Sequence, residues 1–116
     1  MKIRIIIGNK MTTATMYDNP TSRDFMSLMP LTLELRDYAS TEKISDLPQK
    51  LSVKDAPSGS EPLVGDITYY APWGNLALFY KDFSFSNGLI KLGKIDTDMN
   101  IFMSNGPVTA KFELLD

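Results

Sequence analysis

Apolar residues recur at every second position in short runs along much of this chain, and one segment carries a helical period instead. Leu31, Leu33 and Leu35 alternate with Thr32, Glu34 and Arg36, the pattern of a half-buried strand whose successive side chains point to opposite faces. Thr12–Tyr17 alternates as well, with Ala14 and Met16 on one face. It pairs with the Ile-rich run Lys2–Ile7 across a Gly8-Asn9 turn, as a hairpin. Gly65–Ala71, Leu76–Lys81, Gly88–Ile95 and Val108–Leu115 read as further strands, the last with Val108, Ala110, Phe112 and Leu114 as inward candidates. The departure is Pro20–Met29. There Phe25, Leu28 and Met29 stand at i, i+3 and i+4, Asn19 suits the N-cap, Pro20 suits the first helical position and Pro30 ends the helix. Asp24 in its early part suits the positive end of the helix dipole. Many short strands, one helix and no βαβ spacing predict a mainly β fold: a closed barrel of about eight strands with one main helix over 20–29.

With 116 residues, the chain suits a single domain, 1–116, with one core. The helix is too short to persist alone and must lie against the barrel. Asp37 to Val64 reads as irregular, punctuated by Pro48, Pro57, Gly59 and Pro62, with Ser52–Ser60 as an exposed excursion. A connection of that length in a compact domain is usually functional or mobile.

Two absences narrow the chemistry. The chain has no cysteine and no histidine, which excludes disulfides, thiolate nucleophiles, Cys or His metal sites and histidine-based proton transfer. Carboxylate, lysine, tyrosine and oxygen-ligand chemistry remain. Twelve basic residues stand against fourteen acidic ones, and no two basic residues are adjacent. A surface that tracks phosphates needs clustered Lys and Arg, so no nucleic-acid partner is expected. The apolar part of Met1–Gly8 is too short for a signal peptide, and Leu76–Tyr80 falls far short of the roughly 20 residues of a membrane span. The expectation is a soluble, cytoplasmic monomer or weak homodimer without membrane contact; an exported form requires a signal upstream of Met1.

Two motif-like runs dissolve on inspection. Gly88, Gly93 and Lys94 have phosphate-loop spacing, but Ile95 stands where a metal-binding Ser or Thr is required, and the interior is a strand. Asp96, Asp98 and Asn100 imitate the start of a calcium loop, yet Ile101 and Pro107 replace the needed Gly and Glu. No metal and no cofactor are expected.

Tyr69, Tyr70, Trp73 and Tyr80 form the densest aromatic group. Strand parity places Ile67 with Tyr69 on one face and Thr68 with Tyr70 on the other, so one pair packs inward. Trp73 lies in a Pro-Trp-Gly turn, where a flat ring with one N–H suits recognition of an apolar or peptide group as well as packing. Glu42 and Lys43 follow Tyr38 in the irregular stretch, as a solvated pair or as the polar edge of a pocket. Loops held by a rigid barrel are where function concentrates. The candidate ligand-binding residues are therefore Tyr38, Glu42, Lys43, Tyr69, Trp73 and Asn75, gathered where the 72–75 turn meets the 38–44 stretch.

The order of several short segments resembles the cyclophilins. Tyr17–Phe25 is similar to their opening, where a proline begins a helix that carries Thr and an Asp-Phe step. Gly65-Asp66-Ile67-Thr68 resembles their Gly-Asp-Phe-Thr segment. Asn75–Phe79 falls where they have a strand ending in aromatics, and Gly93-Lys94-Ile95 followed by Met99-Asn100-Ile101 resembles their late strand and turn. The nearest likeness is to small bacterial cyclophilin-like proteins, which implies a compact barrel of unassigned activity. A cyclophilin isomerase sets an arginine against the prolyl nitrogen just upstream of its Gly-Asp segment; here the arginines are Arg4, Arg23 and Arg36, none of them there. The expectation is a non-catalytic module that binds a peptide or small molecule beside the barrel. The alternative is a weak peptidyl-prolyl isomerase that uses Lys43 or Arg36.

Overall fold

The structure is a computed structural model that describes residues 1–104 and 106–115. Ten strands run in chain order: β1 (Lys2–Ile7), β2 (Lys10–Met16), β3 (Leu31–Tyr38), β4 (Glu42–Asp46), β5 (Gly59–Ser60), β6 (Asp66–Tyr70), β7 (Asn75–Phe79), β8 (Ser86–Asn87), β9 (Leu89–Ile95) and β10 (Val108–Leu115). Eight of them close a barrel in the order β1-β10-β3-β4-β7-β6-β9-β2, each pairing antiparallel. The expected barrel and its strand number are both present. No helix is long and apolar enough to cross a membrane among the described residues.

Alternation fills the interior. Ile3, Ile5, Leu35, Ile67, Leu76, Leu78, Leu92, Ala110 and Phe112 are fully buried, every second position of their strands, and they join in one cluster. Leu114 continues the Val108–Phe112 face, but at the strand end it is half exposed. Closure depends on Gly93. Opposite Met16 in the β2–β9 pairing, a Cβ there would stand 2.6 Å from the Thr15 carbonyl oxygen, so only glycine lets the two strands meet.

The helix, α1, spans Pro20–Met26 and is shorter than the sequence predicts. Asn19 caps it by accepting the Ser22 N–H at 2.8 Å. After Met26 the bonds tighten: the N–H groups of Leu28 and Met29 donate to carbonyls three residues back, on Phe25 and Met26. Pro30 has no N–H to continue the ladder. Phe25 drops fully into the barrel and meets Phe112 edge-to-face, centroids 5.8 Å apart.

The stretch read as irregular holds a barrel strand. β4 pairs with β3 and β7, although Ile44 is its one apolar residue. The hairpin turns at Ala39 and Ser40, both at positive φ (54° and 52°), where hairpins ordinarily place Asn or Gly. Beyond β4, the segment leading to β5 is tied down: Leu51 is buried, the Ser52 N–H donates to Asp24 Oδ2 at 2.6 Å, and Gly59–Ser60 pairs with Ser86–Asn87.

Candidate functional site

β4, β7 and the first residue of β9 carry a second apolar cluster on the face turned away from the interior, with β6 adding a tyrosine. Ile44, Ala77, Phe79 and Leu89 form it, with Tyr70 packed against them, while Ile67, Tyr69, Leu76 and Leu78 point inward. Register then assembles a cavity over this face. Tyr38 stands opposite Glu42, and Glu42 opposite Phe79. Asn75 pairs with Tyr70, and Tyr70 with Leu89. The turn between β6 and β7 folds back, with the Trp73 and Gly74 N–H groups donating to the Tyr70 carbonyl. It is held close because Gly88, at φ 82°, lacks the Cβ that would strike Pro72 at 2.7 Å.

Trp73 thereby stands between two tyrosines. Its ring lies 5.6 Å from that of Tyr38 and 5.3 Å from that of Tyr70, at interplanar angles of 85° and 82°. Phe79 and Leu89 line the same cavity with Phe83 and Ser86, and Glu42 and Asn75 add the polar groups. The space is about 190 Å³, smaller than the roughly 300–1,000 Å³ of pockets for drug-sized ligands. It suits one side chain or a small molecule.

A model described as the cyclophilin-like family matches residues 5–113. This chain belongs to the cyclophilin-like family. The cyclophilin-like fold recurs in the solution structure of the hypothetical protein AF2241 from Archaeoglobus fulgidus, at a TM-score of 0.71 and 15% identity, over 97% of this chain and 93% of that one. At that identity the likeness is one of fold alone. No curated protein gives a match.

In this cyclophilin-like chain, four of the six residues singled out from sequence come together in the cavity: Tyr38, Glu42, Trp73 and Asn75. Two stand elsewhere. Tyr69 is on the inward face, its hydroxyl accepting the Leu51 N–H at 3.1 Å inside the barrel. Lys43 alternates with Glu42 and so turns to the opposite face. It is buried there, with its ammonium 3.7 Å from Asp37 Oδ1. The Tyr80 hydroxyl also donates to Asp37. Sequence reasoning missed Tyr70 and Phe79. Parity could have found Tyr70, since it is the alternative to Tyr69 across one residue.

Electrostatics single out Glu42. Among the described residues no cation pairs with it, and its apolar surroundings remove water from the carboxyl. Desolvation raises its pKa from 4.5 to about 7. Neutral, the group fits its pocket; ionised, it is poorly solvated there. The folded form therefore holds the proton that the unfolded chain loses near 4.5. Stability is full below that value and falls as pH rises to about 7. Discounted for half burial, the loss amounts to about 1–2 kcal/mol. Glu42→Gln should thus match the parent at pH 4 and exceed it by that amount at pH 8, read from urea midpoints. An equal offset at both pH values would show that the carboxyl is not desolvated.

Proposed function

We propose that this cyclophilin-like domain is a non-catalytic binding module that seats part of a peptide or a small molecule in the cavity beside the barrel. The observation that carries the reading is the meeting of three aromatic rings with Glu42 and Asn75 at one small concave site. Pockets of this kind combine apolar walls with a few directional polar groups. The arginines support binding over isomerisation. Arg4 pairs with Glu113, Arg23 with Asp18 and Arg36 with Asp46, and none lines the cavity.

Trp73 is the only tryptophan and 60% exposed, so its emission reports occupancy directly. A library of small fragments should produce saturable changes in that emission. Amide shifts in a heteronuclear NMR spectrum should cluster on Tyr38, Glu42, Tyr70, Trp73 and Asn75. Shifts confined to other surfaces would remove the reading. Prolyl isomerisation of a test peptide should stay near the uncatalysed time of about 10–100 s; a marked acceleration would favour the isomerase instead.

A further inference from the structure

We infer that the group this cavity takes is a primary alkylammonium, its charged head at Glu42 and Asn75 and its stem along Trp73. The inference rests on the binding reading above and names the chemistry of its ligand. It begins from an orphan. Asn75 is 3% exposed, and its Oδ1 is the single buried side-chain polar atom without a hydrogen-bond partner among the described residues. The amide orientation is settled by its other end, where Nδ2 donates to the Leu76 carbonyl at 3.1 Å. Rotating the amide would set two carbonyl oxygens against each other. The unmet group is therefore an acceptor. A buried acceptor left unpaired is costly; Asn75 borders the cavity, so a ligand that donates relieves it by drawing that oxygen toward the opening.

Charge points the same way. Among the described residues the lining holds one carboxyl, Glu42, and no lysine or arginine. An anionic ligand would meet a carboxylate and no counter-charge. A neutral apolar ligand would leave Glu42 and Asn75 unpaired. A cation is attracted both by the carboxylate and by aromatic faces, which favour positive charge within about 6 Å of a ring centre. Tyr38, Trp73 and Tyr70 stand nearly perpendicular in sequence, so they present walls in more than one direction. Two acceptors favour a head that carries N–H groups over a quaternary ammonium, which has none. The cavity of about 190 Å³ accommodates a short alkyl stem.

The ionisable neighbours of Glu42 are Tyr38 and Asp37 of β3, Lys43 of its own strand, Tyr70 of β6 and Tyr80 beyond β7. Lys43 and Asp37 are engaged with each other on the opposite face, and the Tyr80 phenol, raised to about 12, stays neutral. Ammonium binding must then displace the Glu42 proton below neutrality. With a midpoint of about 7, affinity should rise about a hundredfold from pH 5 to pH 9.

The test titrates the full chain with n-butylammonium, n-butanol, butyrate and tetramethylammonium at pH 8, following Trp73 emission and amide shifts. Butylammonium should saturate with a dissociation constant in the millimolar range, at least about tenfold tighter than the other three. Glu42→Gln should weaken it about tenfold or more and flatten its pH profile. Nα-acetyl-lysine N-methylamide identifies the source: tighter binding than butylammonium assigns the group to a peptide lysine, equal binding to a free amine, and either supports the ammonium assignment. If butanol or butyrate binds as well as butylammonium, the inference falls while the binding module stands. If none of the probes moves Trp73 by about 100 mM, both fall.

Discussion

Phe25→Ala should lower the unfolding free energy by about 3–5 kcal/mol, a large share of the roughly 5–15 kcal/mol that holds a domain together. Phe25 is fully buried and meets Phe112 edge-to-face, and Phe112 is itself paired between Ile5 and Leu31. The ring therefore fixes α1 to two seams of the barrel at once. A seven-residue helix has too few internal hydrogen bonds to persist without that anchor. The check is a shift in urea midpoint at unchanged slope. Arg23→Ala serves as comparator, because Arg23 pairs only with the exposed carboxylate of Asp18, a contact worth under about 1 kcal/mol. Equal, small effects of the two changes would mean that the barrel does not depend on the helix face.

The strands that sequence revealed are those whose alternation carries apolar side chains to the interior. Leu31, Leu33 and Leu35, or Leu76 and Leu78, repeat often enough to show a period of two. β4 was hidden because its inward side chains are polar. Lys43 and Ser45 face the barrel interior and are buried, so the hydrophobic pattern is silent where the strand is present. Its turn was silent too. Ala39 and Ser40 both take positive φ without the Asn or Gly that ordinarily announces such a turn. Helix length failed for another reason: Leu28 and Met29 keep the apolar spacing, yet their hydrogen bonds have already tightened to the three-residue kind.

The candidate site shows the same division. Trp73 and Asn75 were legible because a Pro-Trp-Gly-Asn turn between two strands places them at one edge. Tyr38 and Glu42 were named as neighbours, but only register shows why they meet the turn: β4 brings Glu42 beside Phe79 on β7. Tyr69 and Tyr70 differ by one step in a strand buried along both faces, so although Asp66 and Thr68 mark the face of Tyr70 as the more polar one, burial does not separate the two tyrosines. With β4 unrecognised, nothing separated Glu42 from Lys43 either, although consecutive residues of a strand face opposite ways.

Asp66 carries the second large effect. It lies in the Gly-Asp-Ile-Thr segment, 2% exposed, with its Oδ2 3.0 Å from the Lys91 ammonium and accepting the Leu63 N–H at 2.8 Å. Lys94 stands 3.9 Å from the other oxygen. One carboxylate thus joins the turn before β6 to two lysines of β9, the strand whose first residue, Leu89, lines the cavity. Asp66→Ala strands a backbone N–H and removes the counter-charge of Lys91. Breaking a buried pair in this way costs about 3–5 kcal/mol. The lysines keep partial access to water, 30% and 49% exposed, which sets the expectation at the lower end, about 3 kcal/mol. Asp66→Asn retains the shape and an acceptor for Leu63 and should cost about 1–2 kcal/mol. Denaturant midpoints of the two variants separate charge from hydrogen bonding. If both lie within about 0.5 kcal/mol of the parent, the carboxylate is not what holds β6 against β9, and the backbone ladder from Asp66–Lys94 to Tyr70–Leu89 suffices.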